Sequence, residues 1–204
     1  MLADLKITEY LEKAATGTAV PGGGSVAALN AALAAGLTEM VANLTIGKKG
    51  YEDVTLEMND IVERTANLRE KLTAAIDRDA EAYSDVMNAF KLPRETDPEK
   101  ELREQEIQNA FKHAALVPLE VANHAVKVID LAARAVKGGN KNAVTDGVVA
   151  AMNARTAALA ALYNVKINLV SIEDDEFVKE LTREINNLEQ QAKSKEQEII
   201  ASVV

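Results

Sequence analysis

Asp79 combines a residue type and a position that fit poorly with a plain structural role. It stands in "IDRDAEAY", residues 76–83, inside a long run of helical periodicity. The apolar stripe of that run is Met58, Ile61, Leu68, Leu72, Ile76, Tyr83, Val86 and Phe90. At about 100° per residue, position 79 falls about 20° from Leu72 and about 40° from Tyr83. Asp79 therefore belongs to the apolar face, while Asp77 and Asp85 point elsewhere. A carboxylate there is disfavoured unless it is paired or used. Desolvation raises its pKa, which suits proton transfer near neutral pH. The plainer alternative is an ion pair with an arginine or lysine of another helix. Tyr83, one turn on, is its neighbour or a ring-stacking wall.

Three further stretches carry groups able to hold a ligand. Pro21-Gly22-Gly23-Gly24-Ser25 immediately precedes a helical pattern. A helix N-terminus has free N–H groups and a positive dipole end, and glycines let an anion or carbonyl oxygen approach the backbone. No Gly-Lys-Ser/Thr closes a P-loop here. The plain reading is a turn with Ser25 as N-cap. In "GGNKNAVTDG", residues 138–147, Asn140 or Asn142 can cap the next helix, and Thr145 and Asp146 follow. Asp146 lies in the first turn, where the dipole favours the anion, and could accept two hydrogen bonds from a planar amidine-like group. In "NLTIGKKGY", residues 43–51, Lys48 and Lys49 sit at a helix exit. The dipole alone explains them there, yet two lysines beside a glycine bend could also grip a carboxylate tail.

Other chemistries are poorly served. There are no cysteines, so disulfides, thiolate zinc sites and cysteine nucleophiles are excluded. His113 and His124 share a helix face but stand about 16 Å apart along the axis, too far for one metal. No di-iron spacing, serine hydrolase motif or cofactor fingerprint occurs. We expect no metal and no cofactor.

The elements that must position these groups are helical throughout. Periodicity predicts helices at about 4–15, 25–46, 51–91, 98–136, 141–171 and 174–201. Turn chemistry separates them: "TGTAVPGGG", "GKKG", "LPRETDPE", "KGGNKN" and "SIEDDE". Pro118 falls inside a helical pattern, which should kink or restart there. Alanine-rich segments at 26–35 and 150–161 suit close helix packing inside a bundle. Phe177, Leu181, Ile185, Leu188 and Ala192 make a narrow seam on the last helix, suited to docking on its own bundle or on another subunit. The expected fold is a single-domain, all-α bundle of about six helices spanning residues 1–204.

Composition narrows the partners. The 204 residues are 48% hydrophobic and 27% charged, enough for a globular core. A net charge of -9 and 3% aromatic content argue against a nucleic-acid surface and against an anionic membrane face. The first segment is charged throughout and does not read as a signal peptide. The apolar stretches at 26–46, 114–136 and 147–172 all carry charges, so a membrane span is not expected. The reading is cytoplasmic.

Taken together, "PGGGSVAAL", "NLTIGKKGY", "IDRDAEAY", "KLPRETDPEK", "VPLEVA", "GGNKNAVTD" and "NVKINL" resemble the formiminotransferase-cyclodeaminase/cyclohydrolase family. They run in the expected order from residue 21 to 169. The resemblance implies an all-α homodimer acting on a reduced folate. It implies conversion of 5-formiminotetrahydrofolate to 5,10-methenyltetrahydrofolate with release of ammonia. The alternative is hydrolysis of 5,10-methenyltetrahydrofolate to 10-formyltetrahydrofolate, and a third is a non-catalytic folate-binding or structural dimer. With 204 residues there is no room for a formiminotransferase domain as well, so no transferase activity is expected. On such a substrate the residues suggest these roles. Asp79 is the acid/base beside Tyr83. Gly22, Gly23, Gly24 and Ser25 pack on the ligand. Asp146 and Asn140 read the pterin edge, and Lys48 and Lys49 hold the glutamate tail. These groups are expected to meet in one crevice.

Overall fold

Alanine decides how the centre of the molecule is built. The computed structural model describes residues 1–203, and six helices carry most of them: α1 (Ile7–Ala14), α2 (Gly23–Asn43), α3 (Thr55–Ala89), α4 (Asp97–Gly138), α5 (Val144–Leu169) and α6 (Asp175–Val203). Short 3-10 turns at Leu2–Asp4, Glu52–Val54 and Lys141–Ala143 precede α1, α3 and α5. Ala27, Ala28, Ala31, Ala34 and Ala35 of α2 are sealed from solvent, as are Ala150, Ala151, Ala154, Ala157, Ala158 and Ala161 of α5. Such small side chains let α2 and α5 lie close together. α3 flanks α2, α6 flanks α5, and the long α4 packs behind all four. α2 is long and apolar enough to cross a membrane by length and composition, yet 56% of its most apolar stretch is buried against its neighbours.

Neighbouring contacts fix the directions. Ser25 at the start of α2 meets Ile76 late in α3, and Glu39 late in α2 meets Arg69. Gly23 lies against Asn164, late in α5. Both α3 and α5 therefore run antiparallel to α2. Arg134 joins α4 to Glu57 and Asp60 of α3, and Lys195 joins α6 to Asp130 of α4. Exposed pairs of this kind add little stability individually.

Of the kink or restart expected at Pro118, the restart does not occur. α4 runs through the proline from Asp97 to Gly138. Proline supplies no N–H, so the carbonyl of Ala114, four residues back, loses its helical donor. Asn168 of α5 fills that gap: its Nδ2 donates to the Ala114 oxygen at 3.0 Å. The seam on α6 is used within the chain, with Leu181, Ile185, Leu188 and Ala192 buried. The inner stripe of α3 also differs from expectation beyond Ile76. Ala82, Val86 and Ala89 take the buried positions, packed with Ala114 and Val117 of α4. Tyr83 and Phe90 fall to one side, 43% and 44% exposed.

Candidate active site

The three glycines cap and open the helix and do not form a separate bend ahead of it. Gly22 is the N-cap of α2, and Gly23, Gly24 and Ser25 form its first turn. Ser25 is thus no cap; its side chain is fully buried and faces α3. Its Oγ lies 2.9 Å from the Ile76 carbonyl and 3.0 Å from Asp79 Oδ2, and can donate to either. The need for glycine comes from the same neighbour. A Cβ at Gly24 would stand 1.9 Å from Asp79 Oδ1, well inside contact distance. The carboxylate fills the space a side chain would take, over the amino end of α2. Asp79 and the glycine turn therefore meet across 54 residues of sequence, as expected.

The electrostatics of Asp79 follow from this seat. Burial lifts its carboxyl above the ordinary value, and hydrogen bonds from the Ser25 side chain and backbone pull it only partly back. Among the described residues no cation pairs with it. Arg78, next in the chain, turns instead to Glu120. The structural ion pair weighed as the alternative from sequence is thus absent there. A half-buried carboxyl with a raised pKa at a helix amino end can both take up and deliver a proton.

Two residues at this end carried no assigned role in the sequence. Asn164 of "NVKINL" lies over Gly23, where a Cβ would meet its Nδ2 at 3.3 Å. Its Nδ2 donates to the Ala160 carbonyl at 2.9 Å. Asp77 does point away from Asp79, but it is buried. Its two oxygens accept from the amides of Leu2 and Ala3 and fasten the N-terminal turn to α3. The asparagines of a helical motif give no periodic signal; only their tertiary partners define them.

Tyr83, one turn beyond Asp79 on α3, is exposed to one side, and Asn140, Asp146, Lys48 and Lys49 lie at the opposite end of α2. Asn140 is buried and fully engaged. Its N–H donates to Thr45 Oγ1 at 2.8 Å and its Nδ2 to the Leu44 carbonyl at 3.1 Å. Its Oδ1 accepts from Lys48 Nζ at 2.7 Å and from the Asn142 amide at 3.0 Å. It ties the α4–α5 connection to the exit of α2. Lys48 also lies over the Tyr51 ring. Gly47 and Gly50, with φ of 72° and 88°, make the left-handed turns that carry Lys48 and the exposed Lys49 there. Asp146 is half-buried in the first turn of α5. A hollow of about 800 Å³ adjoins this end, bordered by Lys137, Lys141, Val144 and Lys195.

The helix rise sets the distance between the two ends. Ser25 and Leu44 are 19 residues apart on α2, or about 28 Å. Within one chain, the crevice expected to hold both aspartates is therefore split into an Asp79 end and an Asp146 end.

Comparison with known proteins agrees with this architecture. Residues 6–187 match the family model for formiminotransferase-cyclodeaminase. A methenyltetrahydrofolate cyclohydrolase of Methylorubrum extorquens is 38% identical over 188 residues, 92% of this chain and 90% of its own. The formimidoyltransferase-cyclodeaminase of Rattus norvegicus is 31% identical over 202 residues, and the chain spans 37% of its length. The crystal structure of a formiminotetrahydrofolate cyclodeaminase from Thermotoga maritima superposes with a TM-score of 0.88 at 34% identity, covering 98% of this chain and 96% of that one.

Proposed function

The chain belongs to the formiminotransferase-cyclodeaminase family, and from that membership we propose that it converts 5-formiminotetrahydrofolate to 5,10-methenyltetrahydrofolate and ammonia. The observation that carries this reading is Asp79: a carboxyl lifted by burial, without a cation, seated on a glycine helix start. In the reaction N10 attacks the formimino carbon held at N5, a tetrahedral carbon forms, and ammonia leaves. N10 must lose a proton and the departing nitrogen must gain one. A single carboxyl poised between its two forms can do both in turn. Gly24 leaves the room that the Asp79 carboxylate takes over the backbone, and Asn164 edges Gly23 beside it, so a ligand at this helix start meets both side chains. No metal and no redox cofactor is needed in this scheme.

The second reading is hydrolysis of 5,10-methenyltetrahydrofolate to 10-formyltetrahydrofolate. The bacterial cyclohydrolase relative, matched over 90% of its length, favours it. The two reactions share a cationic one-carbon centre and differ in the nucleophile. Steady-state assays of purified protein on both substrates, with ammonia release as the marker, separate them. Turnover of neither substrate would leave only folate binding.

The remaining groups enter the same proposal through a second copy of the chain. α2 and α5 each leave one side uncovered, and that side is apolar: Val26, Leu33 and Met40 on α2, and Val149, Met152, Tyr163 and Ile167 on α5. α6 offers no such face, because its seam is already used. A copy related by a two-fold axis across the α2/α5 face would lay the Asp79 end of one chain against the Asp146 end of its partner. Asp146 would then read the pterin edge, and Lys48 and Lys49 would hold the glutamate tail. Asn140 would act by holding Lys48 in place.

A further inference from the structure

α1 is fastened to the bundle mainly by one side chain. Tyr10 is its single buried residue, 7% exposed, while Ile7 and Leu11 on either side of it are 80% and 62% exposed. The ring lies with Leu29 and Ile76 around a cavity of about 100 Å³. Its hydroxyl is sealed from water and, among the described residues, has no hydrogen-bond partner. Leaving a buried O–H unpaired is unfavourable, and a phenylalanine would give the same packing without that cost. Two carboxylates stand close enough for their charge to act on the phenol. Burial first, then Asp79 and Asp77, push its pKa up. Asp77 is already engaged by the Leu2 and Ala3 amides. Asp79 takes its side-chain hydrogen bond from Ser25 on Oδ2, which leaves Oδ1 without a side-chain donor.

We propose that Tyr10 is a positioning residue for Asp79: when a ligand occupies the glycine end of α2, α1 settles inward and the phenol O–H donates to the Asp79 carboxylate. This rests on the folate reading above. The bond would fix the orientation of the acid/base and draw α1 over the site, excluding water. The groups around Asp79 are Tyr10 from α1, Ser25 and the amides of α2, and Asn164 from α5 beyond Gly23; on its own helix Asp77 is turned to the Leu2 and Ala3 amides. Arg78 is turned to Glu120.

Tyr10→Phe tests the idea. The variant should melt no lower than wild type, since it only removes an unpaired hydroxyl. Its kcat should fall by roughly tenfold or more at nearly unchanged KM. The acid-side limb of its pH profile should move to higher pH, because a donor that favours the Asp79 anion is gone. Unchanged kcat and pH profile would overturn the proposal. A second measurement needs no turnover. The chain has only four tyrosines, so the Tyr10 phenol can be followed by NMR titration. In Asp79→Asn its pKa should drop toward the ordinary phenol value, and a titration that does not move would overturn the proposal by showing that Asp79 stands out of the phenol's reach. Inactive wild-type protein would sink the folate reading, while the titration still judges the Tyr10–Asp79 relation.

Discussion

At the scale of single residues, Asp79 carries a chemical and a thermodynamic consequence. Asp79→Asn should lower turnover by about 10² to 10⁴ while folate affinity, read by calorimetry, changes little. Asp146→Asn should mainly weaken binding, and the opposite pattern would exchange their roles. The same Asp79 substitution should stabilise the fold. Burial raises the carboxyl's folded pKa above its ordinary 3.8, so the folded chain holds that proton more tightly than the unfolded one. The resulting stability is fully present below 3.8 and is lost as pH climbs through the raised value. Thermal melts should therefore show Asp79→Asn above wild type at neutral pH, with the difference vanishing in acid. Gly24→Ala should abolish activity for a steric reason, because its methyl and the Asp79 carboxylate claim one space. Asp79 was legible from the sequence because angular arithmetic on a helix is reliable over two turns. Tyr10 was not. Its environment is made by α2 and α3, and nothing in α1 announces it.

At the scale of elements, α4 depends on α5 at one atom. Asn168→Ala would leave the Ala114 carbonyl without a donor in a tightly packed region and should destabilise by about 1–3 kcal/mol in urea titration. Pro118→Ala restores the helical N–H, so adding Asn168→Ala to it should cost clearly less. Strictly additive losses in that double-mutant cycle would show that Asn168 does not serve the proline. The pair also explains which parts of the fold could be read in advance. Six helices and their order follow from periodicity and turn residues, and the observed ends lie within a few residues of those expected. At Pro118 a local reading offers a kink or a restart, because the donor that serves the carbonyl it frees lies on a distant helix. The glycine run likewise looked like a bend ahead of α2, because the group that requires Gly24 lies on α3. Beyond Ile76, alanines took the buried positions that larger Tyr83 and Phe90 were expected to fill.

At the scale of the whole molecule, the proposed dimer ties the open α2/α5 face to the split between the Asp79 and Asp146 ends. Leu33→Glu or Ile167→Glu, both at exposed positions, should leave the monomer folded by circular dichroism and abolish self-association in sedimentation velocity. At a folate concentration too low for the Asp146→Asn variant to bind, mixing it with Asp79→Asn should restore activity, since each mixed pair keeps one intact site. Random exchange gives half mixed pairs with one working site of two, hence about a quarter of wild-type activity. No recovery on mixing would confine the site to one chain. The length of α2 then has a further consequence. Under the proposed two-chain arrangement, a site whose halves stand a full helix apart in each chain exists only as long as two chains meet. Turnover per milligram should fall on dilution, so an assay at nanomolar protein could score a sound preparation as dead, and the cell's output would scale more steeply than its supply of chains.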